Sequence, residues 1–131
     1  MTDSINALRE KVKHPDEEID YALDFTHFPL REGETIASIT SVVAVRTDGP
    51  SLPALDALAI DDGTLGHTAP AVNTATILDD EETPVAIGKA VVFWLLKGVD
   101  QQVYRIKARV VTSLGRKIVG QGVLRIDDGV L

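Results

Sequence analysis

The chain has 131 residues, enough for one domain with a real core and too few for two comfortable ones. It holds 20 acidic and 13 basic residues, and the resulting net charge of −7 disfavours non-specific binding to the phosphate backbone of nucleic acids. The absence of cysteine excludes disulfides, thiolate metal sites and a cysteine nucleophile, and no apolar run approaches the roughly 18 residues of a membrane-spanning helix.

Residues 1–18 read as an N-terminal helix or arm. Asp3 or Ser4 can accept a bond from a free N–H of a first helical turn, and Ile5, Leu8 and Val12 recur at helical spacing. His14-Pro15 ends the pattern, because the residue before proline is pushed out of the α region. So short a helix does not hold by itself in water and is expected to pack on something else, such as a neighbouring subunit. The N-terminus lacks the continuous apolar stretch of a secretion signal.

From Ile19 the period changes to two, and residues 19–131 are expected to form one β domain with an insertion at 47–71. Ile19, Tyr21, Leu23 and Phe25 alternate with Asp20, Ala22 and Asp24 as in a half-buried strand. Pro29 and Gly33 mark a turn, and the β-branched run Thr35–Val45 suits a second strand. The stretch Arg46–Val72 carries Asp48-Gly49-Pro50, Pro53, Asp62-Gly63, Gly66 and Pro70. It is expected to be a long loop with a helical turn near Leu55–Leu58 and one short strand, longer than a structureless connection usually is. Strands resume at Val72–Leu78 and, after an acidic turn, at Val85–Leu96, where Ala90–Leu96 is apolar on both sides like a central strand.

Tyr104, Ile106, Ala108 and Val110 then alternate with Arg105, Lys107 and Arg109. Thr112–Arg116 closes a hairpin in which Gly115 can take positive φ, and Lys117–Ile126 forms the last strand. Gly120 and Gly122 inside it signal a bulge or a close backbone approach. About six strands with regular turns and almost no helix predict a mainly β fold, an antiparallel β-sandwich.

Residues suited to chemistry are scattered. His14, His27 and His67 form no ligand-spaced pair and read as surface or loop histidines. The two Ile-Asp-Asp-Gly segments, 60–63 and 126–129, and the acidic run 79–82 lack the spacing of a calcium loop and read as solvated turns. There is no nucleophile elbow and no phosphate-cradling glycine motif, so neither catalytic nor cofactor-binding residues are assigned and no metal is expected. Trp94, among Phe93, Leu95 and Leu96, reads as a core residue rather than an exposed partner contact. The candidate partner contact is the basic set Arg105, Lys107, Arg109, Arg116 and Lys117, for which a plainly solvated sheet face is the competing account.

The segment Lys89–Ile126 resembles small bacteriophage virion proteins of the fibre–tail adaptor or head–tail accessory type. The likeness lies in a strand ending at Leu96 and a Lys97-Gly98 turn, followed by the aromatic-led strand Val103–Val111 and the Thr-Ser-x-Gly-Arg hairpin. His14–Phe28 and Gly33–Thr40 are similar as well, and together the two ends cover about half of the chain. The resemblance implies an immunoglobulin-like sandwich without enzymatic activity, assembled in the host cytoplasm and present in several copies in the virion. It implies contacts with neck, tail, fibre or capsid subunits, and with neither nucleic acid nor membrane. An adaptor joining subunits is the leading expectation. A capsid decoration protein and a small β-sandwich ligand-binding module are the alternatives.

Overall fold

The computed structural model describes residues 3–5, 10–26, 30–47, 58–78 and 82–127. Along the chain come β1 (Asp3–Ile5), β2 (Glu10–Lys13), β3 (Ile19–Asp24), β4 (Ile36–Arg46), β5 (Ala59–Ile60) and β6 (Ala71–Val72). They are followed by β7 (Ile77–Leu78), β8 (Pro84–Val85), β9 (Ala90–Leu96), β10 (Val103–Thr112) and β11 (Lys117–Ile126). The fold is mainly β, and no helix occurs among the described residues.

One sheet has the order β1-β3-β9-β5, with β6 also paired to β9; a second has the order β2-β11-β10-β4; β7 and β8 form a separate ribbon. The pairs are antiparallel except β1 with β3 and β2 with β11, which are parallel. The inward residues of both sheets meet in one apolar cluster. Tyr21, Leu23 and Phe25, then Val91, Phe93 and Leu95, come from the first sheet; Ile106, Ala108, Val110, Leu124 and Ile126 come from the second. A smaller cluster of Ala22, Val85 and Ala90, joined by Ile77 and Val92, covers the outer side of the first sheet at the Ala90–Val92 end of β9, where both faces are apolar because both are covered.

The N-terminus departs from expectation. Where a helix is predicted, the described residues form two short strands, one added to the edge of each sheet. Sheet edges offer unpaired backbone groups along a whole strand, and a marginal helix of this length has little to set against them. The helical turn expected at 55–58 lies outside the described residues except for Leu58, which is buried in the core just before β5. His27 lies outside them too, as do residues 128–131.

The single strand expected over Val72–Leu78 is split into β6 and β7 by Asn73. The buried side chain of Asn73 donates to the carbonyls of Ala75 and Ala86, and its Oδ1 accepts from the N–H groups of Gly88, Lys89 and Ala90. Five backbone groups converge on one amide, which fixes the β8–β9 turn against the loop after β6. A glycine marks a second tight fit. Gly120 in β11 faces Phe25 so closely that a Cβ there would sit 2.4 Å from the ring, which is the close backbone approach its position in a strand predicts.

Candidate docking face

Strand β10 holds Tyr104, Ile106, Ala108, Val110 and Thr112 buried, and turns Arg105, Lys107 and Arg109 to the other side. On that side the register sets Val45 beside Arg105, Val43 beside Lys107 and Ser41 beside Arg109. From β11 it sets Val123, Gln121 and Val119 against the same three residues, and Lys117 against Val111. Arg105 is oriented by a 3.1 Å bond from its Nη1 to Gln121 Oε1. The result is a row of cations through the middle of the sheet, flanked by valines of which Val45 and Val119 are exposed.

Arg116 is not part of this row. Its guanidinium grips Glu34, Nε at 2.9 Å from Oε2 and Nη2 against Oε1. Glu34 is fully buried, and it also accepts from the Thr112 hydroxyl and, at 3.0 Å, from the Arg31 N–H. The Arg116 fork foremost, against the opposing effect of burial and with help from the Arg31 N–H and Thr112 hydroxyl, holds the Glu34 carboxyl down at about 2. Arg116 thus locks the β10–β11 hairpin to the loop before β4, a structural task that bidentate geometry suits better than a docking one. Ser113 reinforces it, donating its N–H to Thr35 O at 2.8 Å. Gly115 takes φ +79° in the hairpin, as its position there predicts.

The outer surface of the other sheet is of opposite character. Asp20 of β3 stands beside Trp94 of β9 in the register, following the exposed residues Asp16, Glu17 and Glu18. Trp94 is half-buried on this outer surface rather than in the core, and the His67 ring stacks on it at 4.0 Å between centroids and 6° from parallel. His67 Nε2 lies 2.9 Å from Glu18 Oε1. The loop that carries His67 is wound around Asp61, which is fully buried rather than solvated. Asp61 Oδ1 accepts the N–H groups of Gly63 at 2.7 Å and Leu65 at 3.1 Å, and Oδ2 that of His67 at 2.9 Å. Burial pushes the Asp61 carboxyl up, but the three N–H bonds and nearby His67 outweigh it and leave the group below its ordinary value. The adjacent groove, about 340 Å³, runs between Ile39–Val42 and Ile60–Asp62 and is open to solvent.

The structure therefore brings Arg105, Lys107, Arg109 and Lys117 to one face, removes Arg116 from it, and adds Val43, Val45, Val119 and Arg125. Arg125 shares the outward parity of β11 and lies 3.6 Å from Asp127. Period-two alternation marks the β11 residues once the strand is aligned, whereas the valines of β4 are recognisable only from the register. No match was found to a family model, to a curated protein or to a solved structure.

Proposed function

We propose that the protein is a non-enzymatic assembly subunit of a bacteriophage particle, an adaptor that docks on the head–neck–tail assembly and joins virion subunits such as tail fibres. The observation that carries the docking part is the outer face of β4, β10 and β11, where cations alternate with exposed valines on a stiff sheet. The virion context rests on the resemblance of the Val103–Ile126 hairpin and the Ile19–Phe25 strand to phage adaptor proteins. Three buried polar side chains serve as pins for loops: Glu34 for the hairpin, Asp61 for the loop under His67 and Asn73 for the β8–β9 turn. That use fits a rigid connector.

The strand order is in keeping with the immunoglobulin-like reading. The order β1-β3-β9-β5 beside β11-β10-β4 supports it, having the ABED and GFC succession of such sandwiches, while β1 runs parallel to β3 and β2 parallel to the last strand. A subunit of this kind is assembled in the host cytoplasm and ends in the virion. The test is complementation: particles built with Arg105→Glu/Lys107→Glu/Arg109→Glu protein, shown by circular dichroism to be folded, should lack the chain. Incorporation at the normal level would overturn the reading.

A further inference from the structure

We infer that the basic face docks on the acidic surface of a second copy of this chain, head to tail. This rests on the docking reading above, and not on which particle the subunit serves.

Charge is segregated between the three long strands of the second sheet and the strands of the first, while the edge strand β2 of the second sheet is mixed, with Glu10, Lys11 and Lys13. Strands β4, β10 and β11 contain Arg46, Arg105, Lys107, Arg109, Lys117 and Arg125 and no acidic residue at all. Strands β3, β5, β6 and β9 contain Asp20 and Asp24 and no basic one. Five of the six cations point away from the core, all but Arg46. Setting those five aside leaves eight of the 13 basic residues against 20 acidic ones. No carboxylate among the described residues lies within ion-pair distance of Lys107, Arg109 or Lys117, so these three hold their charge ready for an external partner.

The complement lies on the far side of the molecule. Asp20 lies beside the half-buried Trp94 on the outer side of the first sheet, and Glu18 joins them through its 2.9 Å contact with the His67 ring that stacks on Trp94. Basic valine-rich and acidic aromatic-bearing surfaces on opposite sides of one core cannot be met by a two-fold contact of like with like. They meet when one copy's second sheet faces the next copy's first sheet, a heterologous contact that repeats into a ring or a filament. The flanking valines and the lack of an aromatic residue on the basic face favour a protein surface over nucleic acid, which stacks on aromatic rings and meets repulsion from a net −7 chain.

Three strands about 4.8 Å apart and a ten-residue strand length span on the order of 500 Å². That is below the roughly 800 Å² per partner of a standard interface, so a single contact is weak and gains strength by repetition. Exposed charge pairs are screened within about 8 Å at physiological ionic strength, so the assembly should also be sensitive to salt.

The experiment is sedimentation velocity of the full chain at low and high salt, with two charge-reversed proteins. The parent should form species of several copies at low salt that fall to monomer as salt rises. Arg105→Glu/Lys107→Glu/Arg109→Glu and Glu18→Lys/Asp20→Lys should each stay monomeric. Mixed one to one, they should assemble again, because each reversed surface then meets its complement. A parent that is monomeric throughout, variants that assemble alone, or a mixture that stays monomeric would overturn the inference. So would binding of a short DNA duplex by the parent that the first variant loses, since the face would then belong to nucleic acid. If reversal prevents folding, Arg105→Gln/Lys107→Gln/Arg109→Gln must at least weaken assembly severalfold. A monomeric parent whose first variant is nevertheless excluded from particles would remove the self-contact and leave the docking reading standing.

Discussion

Gly120→Ala tests how tightly the two sheets are fitted together. A Cβ at this position would lie 2.4 Å from Phe25 Cζ, 2.7 Å from Cε2 and 2.8 Å from Cε1. Carbon atoms rest at about 3.5–4.0 Å, so the ring would have to retreat by roughly 1.1–1.6 Å. Phe25 is fully buried, and its neighbours in the cluster come from both sheets, so the ring has nowhere to go without opening the core. Overpacking of this kind costs about 1–3 kcal/mol. The smaller unfolded-state entropy of alanine offsets roughly 0.4–1 kcal/mol of it. Gly120 does not have a left-handed backbone, so the penalty is steric and comes from the ring. The difference is roughly 0–2.6 kcal/mol, and a ring enclosed on all sides puts the expected loss in its upper part, about 1–2.5 kcal/mol, a fall in Tm of roughly 3–12 °C for a chain of this size. Urea unfolding measures the loss directly, and a Phe25→Ala background isolates its cause. Phe25→Ala alone should cost about 3–5 kcal/mol. In that background the extra methyl occupies vacated space, so the second substitution should cost nothing or restore stability. An unchanged stability in Gly120→Ala, or the same loss in both backgrounds, would refute the steric argument.

Two further outcomes follow from the buried carboxylates. Glu34 is held at about 2, against an ordinary 4.5, so its stabilising contribution is fully present above about pH 4.5 and is lost as pH falls from there towards 2. Glu34→Gln should lower Tm at neutral pH and flatten the dependence of Tm on pH across that acid window; an acid limb identical to the parent's would show that Glu34 does not supply it. Asp61→Ala should release the loop that seats His67 on Trp94, shifting the emission of the single tryptophan to the red with a smaller change in overall unfolding. Unchanged emission would mean that the loop is held without the carboxylate.

Much of the fold was legible where one side of a strand is polar. In Val103–Thr112 the alternation names the buried residues, and the same rule places Arg105, Lys107 and Arg109 outside. It is silent for Ala90–Leu96, where both sides are apolar. Trp94 accordingly belongs to the outer surface, although its neighbours suggest the core. The basic residues show the same division. Strand parity identifies Lys107, but Arg116 follows the turn, and its direction depends on Glu34, which is 82 residues away and fully buried. The acidic segment at 60–63 looks like a wet turn until Asp61 is seen collecting three backbone N–H groups.

By itself the sequence determined that the chain is β, where its three longest strands run, which side of β10 faces the core, and that Gly120 marks either a bulge or a close approach. These follow from side-chain period and backbone sterics, which act over a few residues. Only the tertiary structure decided that β1 and β2 join different sheets, that the cations of β10 and β11 share a face with the valines of β4, and that Asp20 and Trp94 lie on the opposite side. Those relations arise from pairing between segments far apart in the chain, where competing edges and buried polar groups choose the partner and local pattern has no influence.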